Sequence, residues 1–406
     1  MNIENFLRQV FKEGSLEVRL PGGRAVAVGD GSAPSVIVSV QSALWVARIA
    51  ARPSVALGEA YMDGALSFER GDIRELIALA SRNAANRPDN RRPGRLGRWW
   101  KDWSTARNDR IAARRNVAHH YDLSVDLYRL FLDGDLQYSC AYFERPDATL
   151  EEAQAAKKRH IAGKLLLRPG QRVLDIGCGW GGMALSLAAD ADVRVDGVTL
   201  SSEQLSIARE RAEALGLAGK VQFSLTDYRD ADGPYDRIVS VGMFEHVGRP
   251  NYQAFFDKTA ALLADDGVAL IHSIGRSDGP GASDPWTSKY VFPGFSLPAL
   301  SEILAAVERA GLRVIDLEVL RLHYAETLMR WRERFLANRE AALALYDERF
   351  CRMWDYYMAA AEMGFRYGNH MVFQIQLAKR VDAAPITRNY MVDAERQAAR
   401  PAQSAA

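Results

Sequence analysis

Cysteine is scarce in this chain, and its scarcity argues against a fold held together by disulfides. Only three cysteines, Cys140, Cys178 and Cys351, occur in 406 residues, and they are widely separated. Small secreted domains that depend on disulfides instead carry paired cysteines at short spacings. The sequence therefore favours a protein of the reducing cytoplasm, in which these thiols stay free.

An excess of charge and a long apolar run are also missing. The 52 lysines and arginines nearly balance the 51 aspartates and glutamates, and the net charge of +1 argues against a nucleic-acid-binding protein. The N-terminus has no basic leader before an apolar core, so no signal peptide is expected. The apolar stretch at residues 36–51 is interrupted by polar side chains and is too short to span a bilayer. We expect a soluble protein or one that binds a membrane surface.

Hydrophobic residues make up 48% of the chain, and its length allows more than one domain. Residues 1–85 read as a small α/β module. A strand pattern at 16–20, a turn at 21–23 and a strand at 35–40 are followed by helical spacing over 73–80. We expect this module to bind lipid or to mediate dimerisation.

Residues 86–115 have the composition of a basic linker. They contain ten lysines and arginines but only three acids, and Trp99, Trp100 and Trp103 lie in their middle. One interpretation is a solvated connecting segment, as most runs of charge are. The other is contact with a membrane surface, because indoles prefer the headgroup region and arginines are attracted to anionic lipid. The sequence leaves both interpretations open.

From residue 116 onwards, strand and helix patterns alternate along the chain. The predicted strands are 173–176, 193–200, 221–225, 235–241, 267–274, 312–320 and 371–378, and the predicted helices are 202–215, 251–264, 297–310, 324–347 and 352–363. This alternation predicts an α/β fold with a doubly wound parallel sheet and a ligand at the carboxyl ends of its strands. The domain is expected to end at residue 391, with a disordered tail at 392–406.

The most informative local pattern is the run from Val173 to Gly182, an apolar strand that breaks into closely spaced glycines. Asp175 lies two residues before Gly177, and further glycines stand at positions 179 and 181. This spacing differs from the dinucleotide fingerprint G-x-G-x-x-G, and a carboxylate here would repel a pyrophosphate. The pattern suits a cofactor with an ammonium or sulfonium centre. An ordinary tight turn is the structural alternative.

Polar residues also follow the other predicted strands of the sheet. They occupy 199–204, 227–229, 242–247 and 272–275. Any one of these groups alone is typical of a helix cap or a turn. Because the carboxyl ends of parallel strands meet at one edge, we expect these groups to surround a single ligand.

Several of these segments together resemble the cyclopropane fatty acid synthases and their mycolic acid relatives. The matching motifs are His120-Tyr121-Asp122, Tyr138-Ser139-Cys140-Ala141-Tyr142-Phe143, the 173–182 loop, residues 197–204, Met243-Phe244-Glu245-His246-Val247-Gly248, residues 290–294 and residues 323–331. The resemblance covers residues 116–391, and residues 58–64 are similar to the N-terminal module of longer bacterial members. It implies a class I S-adenosylmethionine-dependent methyltransferase with a doubly wound, seven-stranded, mostly parallel sheet.

The resemblance also implies a reaction on lipid. Members of this family add a methylene group from S-adenosylmethionine to the cis double bond of an unsaturated phospholipid acyl chain, and bound bicarbonate serves as the base. The bicarbonate-binding residues correspond here to Cys140, Glu245, His272, Ile274 through its backbone, and Tyr324. A carboxylate can bond an anion only if the anion carries its own hydroxyl, as bicarbonate does and chloride does not.

For the cofactor, the resemblance implies contacts from Tyr138, Ser139, Asp175, Gly177, Gly179, Gly181, Thr199, Leu200, Ser201, Gln204, Tyr228 and Arg229. No metal is expected. Two departures affect this interpretation. Many methyltransferases bind the ribose with an acid at the end of the second strand. Here Asp196 lies earlier, before Gly197, and Thr199 and Gln204 occupy that region, so the ribose ligand is not defined. Val125 stands where the family usually has asparagine.

The cationic intermediate of such a reaction must be shielded from water, which favours an aromatic channel. Candidate residues are Phe244, Tyr290, Phe292, Phe295, Trp331, Trp354, Tyr356, Tyr357 and Phe365. We expect about half of them to be ordinary core residues.

Other functions compete with cyclopropane synthesis. Methylation of an acyl chain or of a small amine without ring closure is the main alternative. A lipid-binding protein that has lost activity is disfavoured by the intact Cys140, Glu245, His272 and Tyr324. An NAD-dependent dehydrogenase is disfavoured by the glycine spacing and Asp175. A homodimer that binds the inner face of the membrane peripherally is also expected.

Overall fold

In the computed structural model, residues 3–86 and 123–398 are described. The basic segment from residue 87 and the His120-Tyr121-Asp122 motif lie outside them. The strands are β1 Ser15–Arg19, β2 Ala25–Gly29, β3 Ser35–Val40, β4 Leu66–Arg70, β5 Arg172–Ile176, β6 Arg194–Thr199, β7 Val221–Leu225, β8 Tyr235–Val241, β9 Leu263–Arg276, β10 Arg313–Val319 and β11 His370–Ala378.

The helices of the described residues lie before, between and after these strands. They are α1 Ile3–Val10, α2 Ala43–Ala51, α3 Pro53–Met62, α4 Ile73–Ala85, α5 Val125–Arg129, α6 Leu150–Leu165, α7 Gly182–Ala191, α8 Ser202–Ala214, α9 Tyr252–Leu262, α10 Pro285–Tyr290, α11 Leu300–Arg309, α12 His323–Ala337, α13 Arg339–Leu345, α14 Glu348–Arg366 and α15 Asn389–Ala398. Short 3₁₀ turns occupy Tyr228–Asp230, Phe244–His246 and Arg249–Asn251. The predicted helix 324–347 is thus two helices, which separate at Asn338.

Two compact units divide these elements. The first contains the N-terminal residues together with Ser283–Pro293 and Ala325–His370. The second contains the described residues from 123 to Ala282, Gly294–Tyr324, and those from Met371 onwards. Two later segments therefore group with the N-terminal module. The domain boundary predicted from the sequence, at residue 85, does not include them.

The first unit is built on a four-stranded sheet with the order β2-β1-β3-β4. β1 pairs antiparallel with β2 through the predicted turn at 21–23 and parallel with β3. Its charged side chains are paired where they are buried. Glu362 of α14, which is completely buried, accepts two hydrogen bonds from Arg74 of α4 at 2.6 and 2.7 Å. This bidentate pair satisfies both oxygens of the carboxylate.

The second unit contains the predicted seven-stranded sheet, with the order β10-β11-β9-β8-β5-β6-β7. β5 pairs parallel with both β6 and β8, whereas β10 and β11 are antiparallel. Alternate residues of a strand face opposite sides of a sheet. Accordingly, Val173 and Val239 belong to one apolar cluster, and Leu174 and Ile238 belong to another. The doubly wound α/β prediction is confirmed.

The prediction of a disordered tail from residue 392 is wrong as far as Ala398, because α15 continues through these residues. Met391 of this helix is buried, and Tyr390 donates a hydrogen bond to Gln376 of β11 at 2.9 Å. Glu395 is hydrogen-bonded to His160 of α6 at 2.6 Å. Residues 399–406 lie outside the described residues.

Candidate active site

The glycine loop follows β5, which lies where the strand order of the sheet reverses. From β5 the chain continues to β6 and β7 on one side and then crosses to β8 on the other side. Such a reversal opens a crevice at the carboxyl ends of the strands. Gly177 has a φ of 82°, and a Cβ there would lie 2.8 Å from the Met243 side chain. Gly181 has a φ of 85°, and its Cβ would lie 2.7 Å from Phe223. Both positions therefore require glycine.

A cavity of about 1210 Å³, including its open mouth, occupies this crevice. The predicted cofactor-binding residues that line it are Tyr138, Ser139, Asp175, Gly177, Gly179, Thr199, Leu200, Gln204, Tyr228 and Arg229. Gly181 and Ser201 support its walls instead. Gly181 is the N-cap of α7, and the Ser201 hydroxyl accepts a hydrogen bond from the Gln204 backbone at 3.3 Å. Their contacts with a cofactor stay predictions.

Asp175 places a buried carboxyl group at the floor of the cavity. The residue is 1% exposed, and its Oδ2 has no hydrogen-bond partner in the structure. Burial raises the pKa of Asp175 to about 7, and the nearby Lys157 ammonium opposes this rise. An unsatisfied carboxylate oxygen in such a place is costly unless a donor reaches it. An ammonium group can donate to this oxygen, and a sulfonium adds a favourable positive charge, so the site is compatible with S-adenosylmethionine, which carries both groups.

Lys157, whose charge acts on Asp175, was missed by reasoning from the sequence. The Lys157 ammonium is fully buried and donates hydrogen bonds to Gln137 Oε1 at 2.6 Å and to the Ser139 hydroxyl at 2.8 Å. Burial lowers the pKa of Lys157 to about 8. Lys157 thereby fixes two residues of the cavity wall. Nothing in the local pattern of α6 distinguishes this lysine from its exposed neighbours.

The structure also explains why Asp196 is not a candidate for the ribose. Its carboxylate accepts hydrogen bonds from the Tyr235 hydroxyl at 3.0 Å and from Arg172 at 3.2 Å. Asp196 does not line the cavity, whereas Thr199 and Gln204 do. Thr199 donates to Gln204 Oε1 at 3.0 Å, which leaves the amide group of Gln204 as a donor beside the cavity.

Glu245 lies on the 3₁₀ turn that follows β8 and is 2% exposed. Its Oε1 accepts a hydrogen bond from the Ile274 backbone at 2.5 Å, whereas its Oε2 has no partner in the structure. Burial raises the pKa of Glu245 to about 7, against the opposing effects of the Ile274 backbone and of the nearby Ser273 hydroxyl, which itself donates to the Ile274 carbonyl. The unpartnered oxygen requires a donor, and the hydroxyl of bicarbonate fits this requirement.

The remaining predicted catalytic residues are also buried. His272 lies on β9, two residues before Ile274, and its Nδ1 is 3.1 Å from Gln374 Nε2. The Cys140 thiol donates to the Ala141 carbonyl at 3.3 Å, and Tyr324 is 7% exposed at the start of α12. None of the five predicted catalytic residues lines the cofactor cavity. Direct contact joins Glu245 to Ile274, and the convergence of all five on one anion stays a prediction.

The candidate channel aromatics are distributed over both units. Tyr290, Phe292, Trp331, Trp354, Tyr356, Tyr357 and Phe365 belong to the first unit, and Phe244 and Phe295 to the second. Phe244 is a core residue that packs on Tyr252 and Phe255 at ring distances of 4.8 and 4.9 Å. The use of the other aromatic residues as a channel stays a prediction.

The sheet order, the glycine loop and the buried acid beneath it define the class I S-adenosylmethionine-dependent methyltransferases. The family model described as mycolic acid cyclopropane synthetase matches residues 108–375, and a domain of unknown function matches residues 2–91. The chain belongs to the mycolic acid cyclopropane synthetase family and is an S-adenosylmethionine-dependent methyltransferase.

Curated relatives match nearly the whole chain. It is 39% identical over 368 residues to the cyclopropane-fatty-acyl-phospholipid synthase of Escherichia coli, covering 88% of this chain and 92% of the relative. It is also 39% identical over 360 residues to a probable fatty acid methyltransferase of Pseudomonas putida, covering 86% and 88%. The relatives therefore include more than one product class.

A solved structure supports the cofactor assignment. The mycolic acid cyclopropane synthase CmaA1, complexed with SAH and CTAB, matches with a TM-score of 0.62 and 37% identity. The match covers 65% of this chain and 97% of that one. SAH is the demethylated form of S-adenosylmethionine.

Proposed function

We propose that the chain is a cyclopropane-fatty-acyl-phospholipid synthase that uses bound bicarbonate as its base. The observation that carries the proposal is the Glu245 carboxyl group, with one oxygen bonded to the Ile274 backbone and the other buried without a partner. An anion that has its own hydroxyl, such as bicarbonate, can donate a hydrogen bond to this second oxygen. The near relationship to the E. coli synthase supports the same reaction.

The residues of the chain perform separate tasks in this reaction. Asp175 binds the cationic part of the cofactor, and the glycines allow the backbone to approach it. When bound, S-adenosylmethionine supplies an electrophilic methyl group and bicarbonate supplies the oxygen that accepts a proton. The double bond of the acyl chain would take the methyl carbon as its bond to sulfur breaks and SAH leaves, the resulting chain cation would lose a proton from the added methyl group to bicarbonate, and the electron pair of that C–H bond would close the ring. Glu245, His272 and Tyr324 hold the base in place.

Transfer of a methyl group to an acyl chain without ring closure is the second candidate. The P. putida relative, whose name describes a fatty acid methyltransferase, favours it. In that reaction the proton is lost from a chain carbon, so the product is branched and keeps a double bond. The two candidate reactions share the cofactor and the cationic intermediate. They differ in the last bond formed, which is a ring C–C bond in the first and a C=C bond in the second.

Membrane association is a further part of the proposal. Among residues 3–86 and 123–398, no helix is both long and apolar enough to cross a bilayer. The ten basic residues and three tryptophans at 87–115 support contact with anionic phospholipid. A cytoplasmic homodimer at the inner face of the membrane stays part of the proposal. Replacing Arg91, Arg92, Arg95 and Arg98 by glutamate should weaken binding to anionic vesicles, and unchanged binding would contradict this part.

The Glu245→Gln substitution tests the role of the carboxyl group. The amide keeps an oxygen for the Ile274 backbone but presents a donor where the anion needs an acceptor. We expect product formation to fall by about 10²- to 10⁴-fold, in the range for loss of acid–base catalysis, with unchanged affinity for S-adenosylmethionine. Activity of the wild type should depend on added bicarbonate.

Glu302→Gln is the control, because Glu302 accepts a hydrogen bond from the Ala299 backbone through an oxygen that glutamine retains and loses only the charge that it pairs with Arg249, outside the site. It should leave activity within about twofold. Loss of cofactor binding in Glu245→Gln, or full activity without bicarbonate, would refute the role given to Glu245.

A further inference from the structure

A buried chain of hydrogen bonds leads away from His272 on the side of Nδ1. Gln374 of β11 lies opposite this ring, with its Nε2 at 3.1 Å from His272 Nδ1. The Oε1 atom of the same amide accepts a hydrogen bond from the Lys164 ammonium at 2.6 Å. All three side chains are at most 2% exposed. None of the steps proposed for the reaction uses Gln374 or Lys164.

The ammonium group decides which way the amide faces. Lysine in its charged form has only donors, so the oxygen of Gln374 must face Lys164. The amide NH₂ group then faces His272, and Nδ1 must be the acceptor. A neutral imidazole has one donor and one acceptor nitrogen, and the proton therefore lies on Nε2.

The charge of Lys164 is held in turn by Glu318 of β10. One carboxylate oxygen of Glu318 is bonded to both the Lys164 ammonium and His160 Nε2, the latter at 2.7 Å. Although burial alone would raise it, these partners lower the pKa of Glu318 to about 2, so the carboxylate stays ionised. Burial and the positive charges of Lys157, Lys164 and His160 hold the pKa of His272 well below its usual value. His272 is accordingly neutral, as the argument on its tautomer requires.

We propose that Gln374, oriented by Lys164, is a positioning residue that holds His272 in the tautomer with the proton on Nε2. His272 can then donate a hydrogen bond to the anion that serves as the base. This inference rests on the proposed function. In the opposite tautomer, Nε2 would present a lone pair to the anion, and the binding contact would become repulsive.

Two substitutions at position 374 test the proposal in different ways. Gln374→Leu removes the group that selects the tautomer. Gln374→Glu keeps the shape and the bond to Lys164 but offers His272 only acceptor oxygens, which favours a proton on Nδ1. For both variants, we expect bicarbonate-dependent product formation to fall by about 10- to 100-fold. This is the range observed when a partner that orients a metal-ligating histidine is lost. The affinity for S-adenosylmethionine should be unchanged.

Gln376→Leu is the matched control. Gln376 is also on β11, 1% exposed, and bonded to the Lys164 carbonyl and the Tyr390 hydroxyl rather than to His272. It should reduce stability without changing the dependence on bicarbonate. Thermal unfolding of all three variants separates effects on folding from effects on the site.

The spectroscopic readout is ¹⁵N NMR of histidine-labelled protein, with the His272 signals assigned by their loss in His272→Gln. The wild type should show a protonated Nε2 and an unprotonated Nδ1, and Gln374→Glu should show a protonated Nδ1. A protonated Nδ1 in the wild type, or full activity of both Gln374 variants, would overturn the inference. A wild type that makes product without bicarbonate would instead refute the proposed function, whatever the tautomer.

Discussion

At the scale of single residues, the site is defined by two carboxyl groups that lack a partner on one oxygen. Asp175 and Glu245 are 1% and 2% exposed, and burial raises the pKa of each to about 7. Leaving a buried polar atom unsatisfied costs about 1–3 kcal/mol. Groups of this kind occur mainly at functional sites, where a ligand supplies the missing contact.

The raised pKa of Asp175 predicts a dependence of cofactor binding on pH. The ionised carboxylate binds a cation, whereas the protonated group does not, and the ionised fraction falls as the pH drops below about 7. The Kd of S-adenosylmethionine should therefore rise by up to about tenfold per pH unit below pH 7 and level off above it. Isothermal titration calorimetry measures this change directly.

Asp175→Asn should bind weakly with little dependence on pH. Asp196→Asn serves as the control, because Asp196 pairs with Arg172 and Tyr235 outside the cavity. It should follow the wild-type pH profile. An equal pH profile for wild type and Asp175→Asn would show that another group governs cofactor binding.

The site residues that could be predicted from local sequence patterns each belong to a short continuous segment. Asp175 and Gly177 belong to a strand–turn–helix pattern whose geometry follows from their spacing. Lys157 contacts the wall of the cavity and Gln374 contacts His272, but they lie in an ordinary helix and an apolar strand. Their roles depend on neighbours distant in the chain, which no local pattern encodes.

At the scale of elements, α15 shows where composition misleads. Its residues are polar enough to suggest disorder. The helix is nevertheless held by buried Met391, by the bond from Tyr390 to Gln376 and by the bond from Glu395 to His160. Most helical stability in proteins comes from tertiary packing rather than from propensity. Strands with regular alternation were predicted well because their pattern is local.

The bond between Glu395 and His160 predicts a stability that depends on pH. Burial alone would lower the pKa of His160, but the hydrogen bonds that its ring nitrogens donate to Glu318 and Glu395 outweigh burial and raise the pKa. The stabilisation from the charged imidazole is therefore fully present below its unfolded pKa of about 6.5 and is lost as the pH rises through the raised folded value.

Glu395→Gln should accordingly lower the free energy of unfolding by about 1.5–3 kcal/mol at pH 6, the range for a hydrogen bond to a charged group, and by less at pH 9. Denaturant unfolding at both pH values measures the difference. Asp393→Asn is the control, since Asp393 lies on the exposed side of the same helix. An equal loss at both pH values would show that His160 is neutral in the folded protein.

At the scale of the whole molecule, the two compact units account for the part of the fold that the sequence did not predict. Arg332 of α12 is bonded to Asp355 of α14 at 2.6 Å and to Asp72 at 2.9 Å, and the Tyr61 hydroxyl donates to Asp355 at 2.6 Å. The bonds from Asp72 and Tyr61 join the N-terminal residues to side chains 260 and 294 positions later in the chain. Linear boundaries drawn from composition cannot show such pairing.

The central claim is that the added carbon closes a ring across the double bond of a phospholipid acyl chain. The most direct test is expression in a host that lacks cyclopropane lipids, followed by mass spectrometry of its fatty acids before and after catalytic hydrogenation. The proposed function predicts a gain of one CH₂ unit in a product that has lost its double bond. The same gain in a product that still takes up hydrogen at a double bond would contradict it and establish a methyl-branched product instead.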